Sequence, residues 1–371
     1  MIKELKCPEC AAPLTVERDD QRFVACGFCG STSNIDVHGD QMVLRLQTSK
    51  TDVTSERFVA GTSLWKDAWK RLLKNKLAVF GLIVLAVMAL LVIFGPEIIY
   101  LTTGFTADGI PENGDLIKSF PPSLTHLMGT DDHGRDMFAR ILQGGRISLM
   151  VGIISTFVSL IVGVSYGAIA GYLGGRIDNL MMRVVDMIYA IPYILIVIVL
   201  LSVFGGKNTP GWIQFLSDKL GGAENQGLSQ IFMLFFALGL VSWLTMARVV
   251  RGQVLSLKNQ EFVLAAKATG VSNFGIIFRH LVPNTLGPVI VYATLTVPSV
   301  MLTEAFLSYL GLGVQAPFAS WGSLASDGIQ NIAIFPWQLI FPGVTMALTL
   351  FSLNFLGDGL RDALDPQTRK F

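Results

Sequence analysis

Apolar residues along this chain are bunched rather than interleaved with polar ones. Six stretches, at roughly residues 77–97, 147–171, 184–204, 230–249, 286–308 and 336–357, run almost free of charge. Each is close to the ~20 residues that a helix needs to cross a bilayer. The pattern predicts an all-α polytopic membrane protein with six transmembrane helices. Glycines inside the second stretch (Gly152, Gly163, Gly167, Gly171) allow helices to approach closely. Pro192, Pro298 and Pro342 predict kinks or breaks in three of the others.

The first sixty residues have no such stretch. They are polar and charged, without a cleavable leader, so the first apolar stretch is expected to act as an uncleaved signal-anchor. Residues 48–62, rich in Ser, Thr and charge, read as a linker. The run Trp65-Lys66-Asp67-Ala68-Trp69-Lys70-Arg71 then predicts a juxtamembrane amphipathic helix. The expected layout is a small domain at 1–47, a linker and amphipathic segment at 48–76, and a six-span domain at 77–371.

Composition agrees with a membrane chain. Of 371 residues only 15% are charged, mean hydropathy is +0.55 and the formal net charge is +1. Such balance gives no electrostatic reason to expect a nucleic-acid partner. The distribution of Lys and Arg sets orientation. Five precede the first span, five more (Arg248, Arg251, Lys258, Lys267, Arg279) surround the connection 250–285, and the connection 309–335 has none. The positive-inside rule then puts both termini and 250–285 in the cytoplasm.

All four cysteines lie in the first thirty residues, as Cys7-Pro-Glu-Cys10 and Cys26-Gly-Phe-Cys29. Two Cys-x-x-Cys pairs at this interval match a zinc ribbon, in which each pair grips one side of a tetrahedral ion. Leu14 to Glu17 and Arg22 to Ala25 are expected as two strands of one hairpin. Four thiolates leave no open position, so the expected ion is a structural zinc held by Cys7, Cys10, Cys26 and Cys29. Rubredoxin-like iron would use the same ligands. Two disulfides are the remaining alternative, disfavoured in a reducing compartment. Residues 1–50 carry six basic and seven acidic side chains, which is unlike a nucleic-acid-binding ribbon.

Two further clusters bear on chemistry. Gly129-Thr130-Asp131-Asp132-His133-Gly134-Arg135-Asp136 lies in the outward connection 98–146, where its glycine punctuation predicts a self-bonded turn rather than a cation site. Glu304, inside the fifth span, is expected to hydrogen-bond a neighbouring segment, with a substrate or gate contact as the alternative.

The most specific stretch is Glu261-Phe262-Val263-Leu264-Ala265-Ala266-Lys267-Ala268-Thr269-Gly270, continuing to His280-Leu281-Val282-Pro283-Asn284. Gly270 is placed to end one helix. Ser272 or Asn273 is placed to cap a second, which Pro283 is expected to stop. This stretch resembles the EAA motif of ABC importer permeases, with Leu264 where the motif's Glu would stand. Four further stretches, Gly129-Thr130-Asp131 with Gly134-Arg135-Asp136, Ala170 to Gly175, Glu304 to Gly313 with Ser320-Trp321-Gly322, and Asp358 to Pro366, are similar to the C-type subunits of the dipeptide/oligopeptide/nickel permeases. The resemblance covers roughly residues 62–371.

What the resemblance implies is a type I ABC importer permease fold in a bacterial or archaeal cytoplasmic membrane. It implies a homologous B-type permease, two ABC ATPase subunits and an extracytoplasmic solute-binding protein as partners. Peptides are the expected substrate, with nickel or another small solute as the alternative. Ala265, Ala266, Gly270, His280, Pro283 and Asn284 would couple to the ATPases. The chain has no Gly-x-x-x-x-Gly-Lys-Ser/Thr loop of its own, so no ATP site and no catalytic residue is expected. A secondary transporter or a membrane-anchored zinc-ribbon regulator are the competing classes.

Overall fold

The computed structural model describes residues 4–6, 13–15, 23–25, 32–38, 41–46, 64–110, 119–204, 209–221, 226–316 and 318–364. It divides into two units, Met1–Ser63 and Leu64–Phe371.

The first unit contains two antiparallel sheets. Strands β1 (Glu4–Lys6) and β2 (Pro13–Thr15) form one; β3 (Phe23–Ala25), β4 (Thr32–His38) and β5 (Gln41–Leu46) form the other in that order. The expected hairpin between Leu14–Glu17 and Arg22–Ala25 is therefore not formed. β2 pairs back onto β1, with Lys6 opposite Pro13, and β3 pairs forward onto β4, with Ala25 opposite Thr32. The sequence holds the reason. Connection 7–12 contains Pro8, and connection 26–31 contains Gly27 and Gly30, whereas 16–22 has neither residue type. Chain reversals follow the Pro and Gly.

The second unit is helical. Short helix α1 (Leu64–Leu72) precedes α2 (Lys76–Thr103), α3 (Met137–Leu173), α4 (Gly175–Tyr189), α5 (Tyr193–Phe204), α6 (Gly211–Gly221) and α7 (Gln226–Leu257). Then come α8 (Glu261–Ala268), α9 (Asn273–Gly275), a π-helical turn at Ile276–Leu281, α10 (Val282–Tyr309), α11 (Trp321–Gln330) and α12 (Trp337–Leu364). Among the described residues five helices are long and apolar enough to cross a membrane: α2, α3, α7, α10 with the turn before it, and α12. The third apolar stretch is two helices, α4 and α5, bent by 84° at Ala190-Ile191-Pro192, and counts as a sixth crossing if taken together. Proline cannot donate the next ladder bond, so the helix breaks where Pro192 predicts. Pro298 and Pro342, by contrast, lie inside continuous helices.

Helix starts follow side-chain chemistry. Asn75 Oδ1 accepts from the N–H groups of Leu77 (3.1 Å) and Ala78 (3.3 Å), and Asp136 Oδ1 accepts from Ala139 N–H (2.8 Å). Ser320 and Ser323 form a reciprocal capping box at α11.

Helices α3 and α7 pack against each other along much of their length, and glycine makes the close approach possible. A Cβ at Gly163 would lie 2.6 Å from Met246 Cβ, and one at Gly171 would lie 2.9 Å from the Arg251 carbonyl oxygen. A Cβ at Gly167 would overlap the Ala247 carbonyl. The i, i+4 spacing of these glycines gives α7 a flat groove in which to lie. The amphipathic helix α1 buries Ala68 and Leu72 in a cluster with Ala78 and Ala363, near the end of α12, and leaves Trp69 exposed. Helix α11 is fastened by Trp321, which is fully buried. Its Nε1–H donates to the Ile141 carbonyl (2.8 Å) and its backbone N–H to Ser148 Oγ (2.9 Å).

Candidate functional site

The elbow between α7 and α10 is built from local chemistry. Gln260 precedes α8, and Gly270 follows it with φ +80°. The Val271 N–H bonds the Ala266 carbonyl (3.1 Å) and the Gly270 N–H bonds the Lys267 carbonyl (3.0 Å). These are the two bonds of a Schellman cap, which needs a residue in the left-handed region. Ser272 Oγ accepts from Gly275 N–H (3.2 Å) and starts the next turn, as its side chain predicts.

Pro283 does not end that second helix, contrary to expectation. The chain passes through the π-helical turn at 276–281 straight into α10, so Asn273–Tyr309 is continuous. The Val282 N–H reaches back five residues to the Ile277 carbonyl. Pro283 is the second residue of α10, directly after the π-helical turn. The His280 carbonyl accepts from Asn284 Nδ2 (2.6 Å).

The six elbow residues singled out in the sequence do not share one surface. Ala266 and Val263 face inward, in a cluster with Ile276, Ile277 and Leu281. Ala265, Gly270, Pro283 and Asn284 are exposed, and His280 is half-buried. The outward apolar surface of the elbow belongs to Phe262 (38% exposed), Leu264 (51%) and Phe274 (69%). Nothing in the sequence pattern marked these three for a role.

Polar contacts hold the elbow to its neighbours. Tyr172 of α3 donates its hydroxyl to Asn273 Oδ1 (2.9 Å), and Lys267 Nζ lies 5.3 Å from the Tyr172 ring centre. Lys258 Nζ donates to the Gly171 carbonyl (3.1 Å). Arg251 makes a two-toothed pair with Asp178 (2.5 and 2.7 Å), whose carboxylate is nearly buried. Arg248 pairs with Asp186 (2.7 Å).

A cavity of about 540 Å³ opens at the break between α4 and α5. Tyr189, Pro192 and Tyr193 line it from the break, and Ser242 and Thr245 from α7. Helix α10 contributes Tyr292, Thr296, Ser299 and Thr303, which recur every three or four residues on one face. Among the described residues no Asp, Glu, Lys, Arg or His lines it. None of its lining residues belongs to a motif recognised in the sequence.

At the opposite end from the elbow, residues 129–136 form the expected self-bonded turn. Gly129 and Gly134 take positive φ, and Thr130 bridges Asp136. Asp131 Oδ1 accepts from the N–H groups of His133 and Arg135 (2.9 Å each) and Oδ2 pairs with Arg135 (2.7 Å) and with Arg140. Glu304 is fully buried. Its Oε1 accepts from Ser308 Oγ (2.6 Å) and from Ser320 Oγ (2.7 Å), so it ties α10 to the cap of α11 rather than facing the cavity. Cys7, Cys10, Cys26 and Cys29 lie outside the described residues.

The same stretches of chain are shared with known proteins. Residues 163–370 match the family described as binding-protein-dependent transport system inner membrane component, and residues 63–109 match the N-terminal TM domain of oligopeptide transport permease C. The chain is 45% identical to the oligopeptide transport system permease protein OppC of Bacillus subtilis, over 83% of this chain and 91% of that protein. It is 45% identical to OppC of Escherichia coli K12, over 88% of this chain and 100% of that protein. It is 43% identical to the dipeptide transport system permease protein DppC of B. subtilis, over 83% and 87%. A solved structure of the MetNI methionine ABC transporter, inward facing, is similar at TM-score 0.43 and 19% identity, covering 62% of this chain and 98% of that one. With the family model matched over more than half its length and such relatives along most of it, the chain belongs to the inner membrane components of binding-protein-dependent transport systems.

Proposed function

We propose that this chain is the C-type permease subunit of an ATP-driven peptide importer, with the type I fold. The observation that carries the reading is the likeness to OppC of E. coli, along the whole of that protein and 88% of this chain. In this reading the chain forms half of the translocation path beside a homologous B-type permease. Two ATPase subunits bind at the elbow, and a solute-binding protein delivers peptide at the side of α11 and the 129–136 turn. Six alternating crossings would place both termini and the elbow on one side, the cytoplasm, in keeping with the Lys and Arg distribution.

The elbow has the properties a lever needs. Its exposed face (Phe262, Leu264, Phe274) offers apolar area to a groove in an ATPase. Its inner face is packed, and its second half, hydrogen-bonded to α3 at Asn273, runs without a break into α10. A push on α8 is thereby delivered to α7 and α10, two walls of the cavity. Movement of those walls against α5 would alternate access to the cavity. ATP is hydrolysed on the partners. The reading is tested by reconstituting the four-subunit complex in vesicles and measuring uptake of labelled tripeptide with ATP and delivery protein. Equal uptake driven by an ion gradient without nucleotide overturns it.

For the first unit we propose a structural zinc on Cys7, Cys10, Cys26 and Cys29. The support is the strand register: β1 and β2 end their pairing at the residue before Cys7, and β3 and β4 end theirs at the residue before Cys26. Each Cys-x-x-Cys is thus bounded by its own two-strand ladder, the arrangement that brings two thiolates to one tip. Bound zinc would supply folding free energy to a unit too small for a large core.

A further inference from the structure

Helix α1 presents three rows of side chains. Ala68 and Leu72 are buried in a cluster with Ala363, near the end of α12, and Ala78, at the start of α2. At about 100° per residue, Trp69 and Leu73 stand about 100° further round the helix, and Lys66 and Lys70 about 60° beyond them. Leu73 belongs to the row because its N–H still bonds the Trp69 carbonyl (3.1 Å). Trp69 is 53% exposed and Leu73 49%. Lys66, Lys70 and, in the turn that follows, Lys74 are exposed, and among the described residues none of the three makes an ion pair. Asp67, the acidic residue of α1, is half-buried on the flank away from Trp69.

Packing fixes the aim of these rows. A Cβ at Gly359 of α12 would overlap Ala78 and lie 3.2 Å from Leu72, so α1 and the start of α2 are seated directly on α12. Only residues 73–75 separate α1 from α2, which is at most about 10 Å of chain. Helix α2 is long and apolar enough to span, and its exposed Leu77 and Phe80 take up the apolar pattern of Trp69 and Leu73. Helix α1 is thereby held at the level where hydrocarbon gives way to headgroups. Tryptophan favours that level, and a lysine beside it buries its stem and leaves its ammonium among phosphates. A free phosphate ion would answer the lysines and leave Trp69 and Leu73 in water. A zwitterionic lipid would cover the apolar row but brings its own cation to the lysines. An anionic lipid satisfies both rows together.

We infer that α1 is a binding site for anionic phospholipid, in which Lys66, Lys70 and Lys74 hold headgroup phosphates while Trp69 and Leu73 lie among the upper acyl carbons. A lysine near such a surface gives a roughly five-fold preference for a charged lipid. Through Ala68 and Leu72 the contact fastens the start of α2 and the end of α12 to the headgroup layer. The site is separate from the cavity and the elbow and is the same whatever solute the complex carries.

The test replaces Trp69 with photoreactive p-benzoylphenylalanine in the full complex, reconstituted in vesicles of equal phosphatidylglycerol and phosphatidylcholine. After illumination, mass spectrometry identifies what has become attached at position 69. Phosphatidylglycerol adducts should exceed phosphatidylcholine adducts roughly five-fold at low salt. The excess should shrink as salt is raised, because the lysines are exposed and screened. With Lys66→Gln, Lys70→Gln and Lys74→Gln combined, the two adducts should become about equal. Co-purification of the partner subunits reports assembly of that variant, and the salt series decides the matter without it. Equal adducts with the lysines in place overturn the site, as does an excess that survives both high salt and the lysine changes. Attachment of position 69 to protein, whether the first unit or a partner subunit, overturns it as well.

Discussion

Substitution at Gly270 separates two roles for the elbow glycine. Its φ is +80°, and a Cβ built there meets nothing within 4 Å. The cost of a side chain is therefore conformational and not steric. An alanine in the left-handed region costs about 1–2 kcal/mol, and a β-branched residue more, up to about 3 kcal/mol; Asn and Asp visit the region more readily. Each kcal/mol shifts the local equilibrium of the Schellman turn about five-fold. If Gly270 serves only the turn, then ATP-driven uptake should fall in the order Gly, Asn, Ala, Val, with Asn near wild type and Val lowest. If the exposed Gly270 surface also lies against an ATPase, bulk matters as well as φ. Gly270→Asn then fails along with Gly270→Val, and Gly270→Asp abolishes transport while membrane insertion persists. The assay is uptake and stimulated ATP hydrolysis by each variant in vesicles, with the membrane-inserted amount measured on the same samples. Normal uptake by Gly270→Val would refute both roles, because neither leaves a β-branched residue in this turn without cost.

Replacing Glu304 with Ala should leave the buried Ser308 and Ser320 hydroxyls without their acceptor, costing about 2–6 kcal/mol at roughly 1–3 kcal/mol for each of the two groups. Glu304→Gln keeps an acceptor and should cost far less; thermal unfolding of the purified complex measures the difference. Gly167→Ala should prevent α3 from seating against the Ala247 carbonyl and sharply reduce the folded yield. Gly252→Ala on α7, where a Cβ meets nothing, should be neutral or slightly stabilising; size-exclusion recovery compares them. The purified full-length chain should contain about one zinc ion, lost in Cys7→Ser and Cys26→Ser, as elemental analysis of the three proteins would show.

The spans were legible because an uncharged apolar run as long as a bilayer is thick is costly to keep in water and fits lipid directly. The position of the α4–α5 break was legible too, from one proline. Its 84° angle was not, since the angle is set by what α5 packs against. Pro283 misled for a related reason. A proline is a stop signal only against an α-helical ladder, and the π-helical turn before it had already moved the bonding partner by one residue. The β1–β2 pairing was written in Pro8 and the β3–β4 pairing in Gly27 and Gly30, yet the ribbon spacing of the cysteines pointed to a hairpin between β2 and β3.

The elbow and the cavity show two kinds of legibility. The elbow's alanines drew notice as a motif, but motif letters do not say which face is inward. Ala266 proves to be core, and the exposed surface is made by Phe262, Leu264 and Phe274, which read as ordinary apolar residues. The cavity was in the sequence in plainer form. Tyr292, Thr296, Ser299 and Thr303 repeat at intervals of four, three and four inside an apolar helix, and such a stripe must face something other than lipid. Hydroxyls escape notice because they carry no charge and can satisfy themselves on their own helix. Thr296 and Thr303 do so here, donating to the Tyr292 and Ser299 carbonyls one turn back along α10 (2.8 and 2.9 Å).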